Sequence, residues 1–362
     1  RPLSATCPND QMHNGAAPAR SDWNWRHIMK LVFAPVLAAT YFTFTVYMPV
    51  AMHAQSARPG SSPRESATTE EGLEGTWVNS WGTPLERPAI LNGKASFTDE
   101  EVGALRERSK AIFSKAESDA PVGDTFLVGV LTGPDVFKNP NATNNALDVD
   151  IPDIDNRTSL VIVPPDGGLP ESTSAGTTRN AARLRAVAES MPTDPEVMGT
   201  AYRCLSYGTP RLLRGMLSLM QIVVAGDFVV FNQEWIHETR IVPLDGRPHL
   251  PAGVRRWAGD PRGHWEGKTL VVETTNFSRQ NNVVGSDENL ALVERFTRVG
   301  PNVIDYVVTV SDPTVWTRSW TAKVRLSKTS DRLFEVACHE GNASMQHILA
   351  GARAMERRSP PN

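Results

Sequence analysis

Over the C-terminal half of the chain, short apolar stretches recur at nearly even intervals, with turn-forming residues between them. Residues 221–224, 228–242, 268–277, 290–299, 303–310, 319–326 and 333–339 each read as a β-strand. Ala225-Gly226-Asp227, Gly300-Pro301-Asn302 and Ser330-Asp331 supply turns between them. Upstream, Gly75-Thr76-Trp77 reads as a short strand anchored by Trp77 and Trp81, and residues 160–163 as another, ended by Pro164-Pro165-Asp166-Gly167-Gly168. Thr98 and Glu101 have capping-box spacing, so a helix starts there, with Val102, Leu105, Ile112 and Phe113 as its apolar stripe. Further helices are expected over about 180–189 and 343–357, and a long Asn/Asp/Pro-rich loop over 138–156.

Consecutive strands without intervening helices exclude a doubly wound α/β fold. The expectation is a mainly β protein, an antiparallel barrel or strongly curved sheet of lipocalin-like shape with a few peripheral helices. Such a shape removes exposed sheet edges. Residues 75–362 are read as one β-rich domain with a helical N-terminal part.

The N-terminal region changes the picture. Residues 31–50 carry no charge, Arg26, His27 and Lys30 precede them, and Ala54 stands before a polar Ser/Pro/Gly stretch. This pattern predicts an export signal over 29–54, cleaved after Ala54, then a flexible linker over 55–74. A retained apolar anchor is the alternative, since about 20 apolar residues can span a bilayer. Residues 1–28 show no periodicity and read as an upstream leader, because Met29-Lys30 makes a better signal start. The expected location is periplasmic or secreted, with membrane contact only through that signal.

A formal net charge of −3 gives no basic surface for nucleic acid, so none is expected as a partner. Of three cysteines, Cys7 lies in the leader, which leaves Cys204 and Cys338 as a natural disulfide pair in an exported chain. The alternative is two separate buried thiols. No cofactor motif and no paired-ligand spacing of His or Cys is present, so neither a cofactor nor a metal is expected. The segment Gly259-Asp260-Pro261-Arg262-Gly263-His264-Trp265-Glu266-Gly267 reads as a glycine-bounded turn rather than a phosphate cradle.

Several segments resemble a family of exported bacterial proteins without an established activity: RTSLVIVPPDGGLP, YRCLSYGTPR, IHETRIVPLDGRPHLP, GDPRGHWEGKTLVVETTNF, ENLALVERFTRVGPN, DPTVWTRSW and ACHEGN. They run from Arg157 to Asn342. The resemblance implies export and a β-rich fold, and it carries over no catalytic residue.

Strand alternation over 230–242 leaves polar groups on both faces, which suggests that one face lines a pocket. On that reading His237 is a general acid or base, with Glu273 or Glu294 as its carboxylate partner. Arg295 stabilises an anion, Trp235 and Tyr306 form aromatic walls, and Asn276 and Trp320 complete the substrate contacts. Trp316 and Trp320 could alternatively plug one end of the barrel, and His237 could be a satisfied structural histidine. The expected function is a cofactor-independent lyase, isomerase or hydrolase acting on a small molecule. The alternative is a lipocalin-like protein that binds a small ligand without turnover. Oligomeric state is open.

Overall fold

Alternation of buried and solvent-facing side chains assembles ten strands into one antiparallel sheet. The structure is a computed structural model that describes residues 72–113, 125–133, 152–188, 192, 194–212, 218–279 and 285–358. The expected leader, export signal, nearly all of the linker and most of the 138–156 loop lie outside these residues. No helix among the described residues is long and apolar enough to cross a membrane.

The strands are β1 (Gly75–Val78), β2 (Val161–Val163), β3 (Met220–Ala225), β4 (Phe228–Gln233), β5 (Thr239–Pro243), β6 (Asp260–Glu266), β7 (Thr269–Thr275), β8 (Ala291–Gly300), β9 (Val303–Ser311) and β10 (Trp320–Thr329). Their order is β5-β4-β3-β1-β10-β9-β8-β7-β6, with β2 paired to β10 off this path. Hairpins therefore build both flanks, and β1 joins them by pairing with β3 on one side and β10 on the other. The helices are α1 (Asp99–Phe113), α2 (Thr125–Thr132), α3 (Ser174–Ala188) and α4 (Ser344–Glu356).

One face of the sheet forms the core. Trp77, Ile222, Phe231, Leu292, Phe296, Ile304, Val308, Trp320 and Val324 are all buried there. The period of two places every second residue of β8, β9 and β10 on this face. The sheet is strongly curved but open. Its edges β5 and β6 approach each other, and no hydrogen-bonded ladder joins them among the described strands. At the approach stands Gly263, where an added Cβ would lie 2.7 Å from Val242 Cγ1 and 2.8 Å from Leu244 Cδ2. A side chain there would push the edges apart.

A smaller cluster lies beside the sheet, where α1 and α2 pack Val102, Leu105, Phe126, Leu127 and Val130 together. The capping box that opens α1 is formed. The Thr98 amide donates to Glu101 Oε2 (2.8 Å) and the Glu101 amide to Thr98 Oγ1 (3.2 Å). The stripe residues Val102, Leu105 and Ile112 are buried.

Three expectations need correction, and one element was not anticipated. Residues 228–242 are not one strand: β4 ends at Gln233, a 3-10 turn spans Trp235–His237, and β5 begins at Thr239. Ile236 (φ 60°) and His237 (φ 41°) both take left-handed backbone, as the central residues of a type I′ hairpin turn do. That turn is usually announced by Asn-Gly or Asp-Gly, and Ile-His carries no such signal. Residues 259–267 do not form a turn; Asp260–Glu266 is edge strand β6, paired with β7 over its whole length. An edge position tolerates Pro261, whose missing N–H can face away from the ladder. Residues 333–339 form no strand, and the chain there follows an irregular path to Cys338. Finally, the apolar run of α2 is a helix for which the sequence reading assigns no element.

Candidate functional site

Curvature brings the inner faces of β4, β5, β8 and β9 together around a cavity of about 50 Å³, partly open to solvent. Trp77, Met220, Phe296, Tyr306 and Leu326 provide apolar and aromatic walls, while Arg211, Gln233, Glu238, Arg240 and Glu294 provide polar groups. Half of the lining comes from three segments, YRCLSYGTPR, IHETRIVPLDGRPHLP and ENLALVERFTRVGPN, which lie far apart along the chain.

The base of the cavity is a buried ion pair. Arg240 on β5 is 7% exposed and Glu294 on β8 is 1% exposed, and the guanidinium grips both carboxylate oxygens. Arg240 also donates to Thr274 Oγ1 on β7 (3.2 Å), and the Tyr306 hydroxyl on β9 donates to Glu294 Oε1 (2.9 Å). Burial alone would lower the Arg240 pKa, but attraction and hydrogen bonds from Glu294 outweigh it and leave it above its ordinary value. Burial pushes the Tyr306 phenol well above its ordinary value, and the Glu294 charge adds to this. The ring of Tyr306 stacks on Phe296, its cross-strand partner, with centroids 4.6 Å apart. Phe231 continues this aromatic row at 4.8 Å from Phe296, and the Arg240 guanidinium lies over its ring at 5.7 Å. These contacts spend the charges of Arg240 and Glu294 on one another.

The mouth is different. Arg211 Nη1 donates to Gln233 Oε1 (3.1 Å), and the guanidinium lies 4.5 Å from the centre of the Tyr207 ring. Glu238 accepts a hydrogen bond from Ser206 Oγ (2.6 Å). Burial lowers the Arg211 pKa, and the nearby Tyr207, Glu238 and Glu234 offset part of that.

Of the residues expected from sequence, Tyr306 and Glu294, the alternative carboxylate, line this cavity. His237 is exposed in the turn between β4 and β5, Glu273 is exposed on the outer face of β7, and Arg295 is on the outer face of β8, paired with Glu266. The structure does not bring these three to a common cavity. The cause is backbone geometry: the turn at Ile236-His237 interrupts the alternation on which the face assignment depended, and Glu294 rather than Arg295 points inward. Trp235 packs edge-on against Tyr207 at 5.7 Å, outside the lining. Asn276 donates from Nδ2 to the Leu250 carbonyl (2.8 Å). Trp320 is fully buried and meets Trp316 edge-on at 5.5 Å, so the two are core residues rather than an exposed platform.

Sequence reasoning missed Arg211, Gln233 and Arg240. No motif spacing connects them.

Cys204 and Cys338 form a disulfide, with their Cα atoms 5.7 Å apart and a sequence separation of 134. His249 Nδ1 lies 3.2 Å from the buried Asp260 carboxylate, which also accepts from the Leu250 amide (2.8 Å) and Arg262 (2.8 Å). This cluster fastens the loop after β5 to the start of β6. Among the described residues no three His, Cys, Asp or Glu side chains gather as a metal-ligand set.

Fold and cavity together define an antiparallel β-sheet protein, curved but open, with a polar-based pocket on its inner face. No family model, curated protein or solved structure matches the chain.

Proposed function

We propose that this chain is an exported protein that binds a small ligand in the inner-face pocket without turning it over. One observation carries the reading: apolar walls and a few convergent polar groups meet in a single partly open cavity, the usual form of a small-molecule site. The curved sheet then serves the ligand as a lipocalin-shaped barrel does.

Binding is favoured over catalysis by the chemistry of the lining. It contains no histidine or cysteine, and its most buried carboxylate, Glu294, is already held by Arg240, Tyr306 and Thr274. A group locked by three partners is a poor proton shuttle. Export is supported by the charge-free stretch 31–50 behind basic residues and by the Cys204–Cys338 bond, which persists in oxidising compartments.

The test is a fragment screen of the full chain by protein-observed NMR, with the Trp77 indole and the Arg211 side chain as reporters. At least one fragment class is expected to shift both. A screen that moves only resonances remote from the pocket would sink this reading.

A further inference from the structure

The four charged residues of the cavity divide into two unlike pairs. Arg240 and Glu294 are in contact and neutralise each other's charge. Arg211 and Glu238 line the same cavity, yet each is bonded to a neutral partner, Gln233 and Ser206 respectively. Glu238 acts on Arg211, and also on Arg240, through space and not by a hydrogen bond. Of the other groups near Arg211, Glu234 attracts it through space while its Oε1 accepts the Phe334 amide (3.2 Å), and Tyr207 offers its ring face.

Two opposite charges therefore stand apart at one mouth, neither neutralised by contact. A ligand with a single charge would gain from one and be repelled by the other. A neutral ligand would bury both without a charged partner, which is costly for groups removed from water. A molecule with opposite charges a few bonds apart meets both demands. Size narrows the choice further. The cavity of about 50 Å³ is well below the roughly 150 Å³ that accommodates a benzene ring, so only a compact group is enclosed in it.

We propose that the pocket takes a small zwitterion, an α-amino acid with little or no side chain, its carboxylate on Arg211 and its ammonium on Glu238. The assignment rests on the ligand-binding reading above and names its ligand class. A guanidinium fork matches a carboxylate in two parallel hydrogen bonds, and Arg211 has donors beyond the one given to Gln233. Glu238 has a second carboxylate oxygen beyond the one bonded to Ser206.

Calorimetric titration of the full chain with glycine, L-alanine, acetate, methylammonium and acetamide tests this. Glycine and alanine are expected to bind, and each probe lacking one or both charges to bind at least about tenfold more weakly. Arg211→Gln and Glu238→Gln are each expected to weaken glycine by a similar factor, with far-UV circular dichroism unchanged. The probe series puts the same question to the unaltered protein, so the result does not depend on the variants folding. Acetate, methylammonium or acetamide binding as well as glycine would overturn the zwitterion assignment and leave a ligand pocket. So would failure of the amino acids to bind alongside fragment hits at Trp77. Failure of every probe together with a blank fragment screen would overturn both readings.

Discussion

The Arg240 guanidinium on β5 and the Glu294 carboxylate on β8 meet in the interior, although five strands separate β5 from β8 along the ladder. Only a sheet curved far enough to bring β5 back towards β6 and β7 allows this contact. The pair thus clamps the open side of the sheet, while Gly263 leaves room for the edges to approach.

Removing one partner leaves a buried charge uncompensated. Arg240→Met or Glu294→Leu alone is expected to destabilise the fold by about 3–5 kcal/mol. The double variant is expected to recover much of that, because apolar side chains of similar volume replace a pair that had to be desolvated. Urea denaturation of the four proteins closes the cycle. Additive losses would mean that the two groups do not depend on one another.

Tyr306 predicts an alkaline effect. Burial, reinforced by Glu294, makes the folded state hold the phenol proton more tightly than the unfolded chain does. Its contribution is therefore complete below the ordinary phenol value of about 10 and is lost as pH rises from there towards the raised folded value. Ultraviolet titration should show a tyrosine phase that resists ionisation until the protein unfolds, and Tyr306→Phe should remove it. Ordinary titration of every tyrosine in folded protein contradicts the placement.

The disulfide constrains the unfolded chain. Closing a loop of this length contributes up to about 4–5 kcal/mol in the chain-entropy model, and commonly about 2–4 kcal/mol in practice. Replacing both Cys204 and Cys338 by alanine should lower the denaturation midpoint accordingly, as should adding a reductant to the unaltered protein. An unchanged midpoint under both treatments would show that the bond contributes nothing.

What the sequence determined by itself was local. The period of two marked most of the C-terminal strands, because each buries one face and a slip of one residue would expose it. Thr98 and Glu101 marked the start of α1, since capping is a contact within one turn. The sequence reading paired Cys204 with Cys338, and the bond is formed. The same period places Tyr306 inward with Ile304 and Val308, and that placement is observed.

What only the tertiary structure decided was which polar residues share a cavity. Alternation over 230–242 failed at Ile236-His237, where two non-glycine residues adopt left-handed backbone in a turn without a sequence signature. That turn put His237 in solvent and Arg240 inside. The pairing of β1 between β3 and β10 joins residues more than a hundred positions apart, and no local pattern encodes it. Arg240 and Glu294 become neighbours through curvature, and Arg211 joins the cavity from a segment outside the strands. Strand patterns specify faces, whereas a binding site depends on the distances between faces, and those are set when the whole sheet folds back on itself.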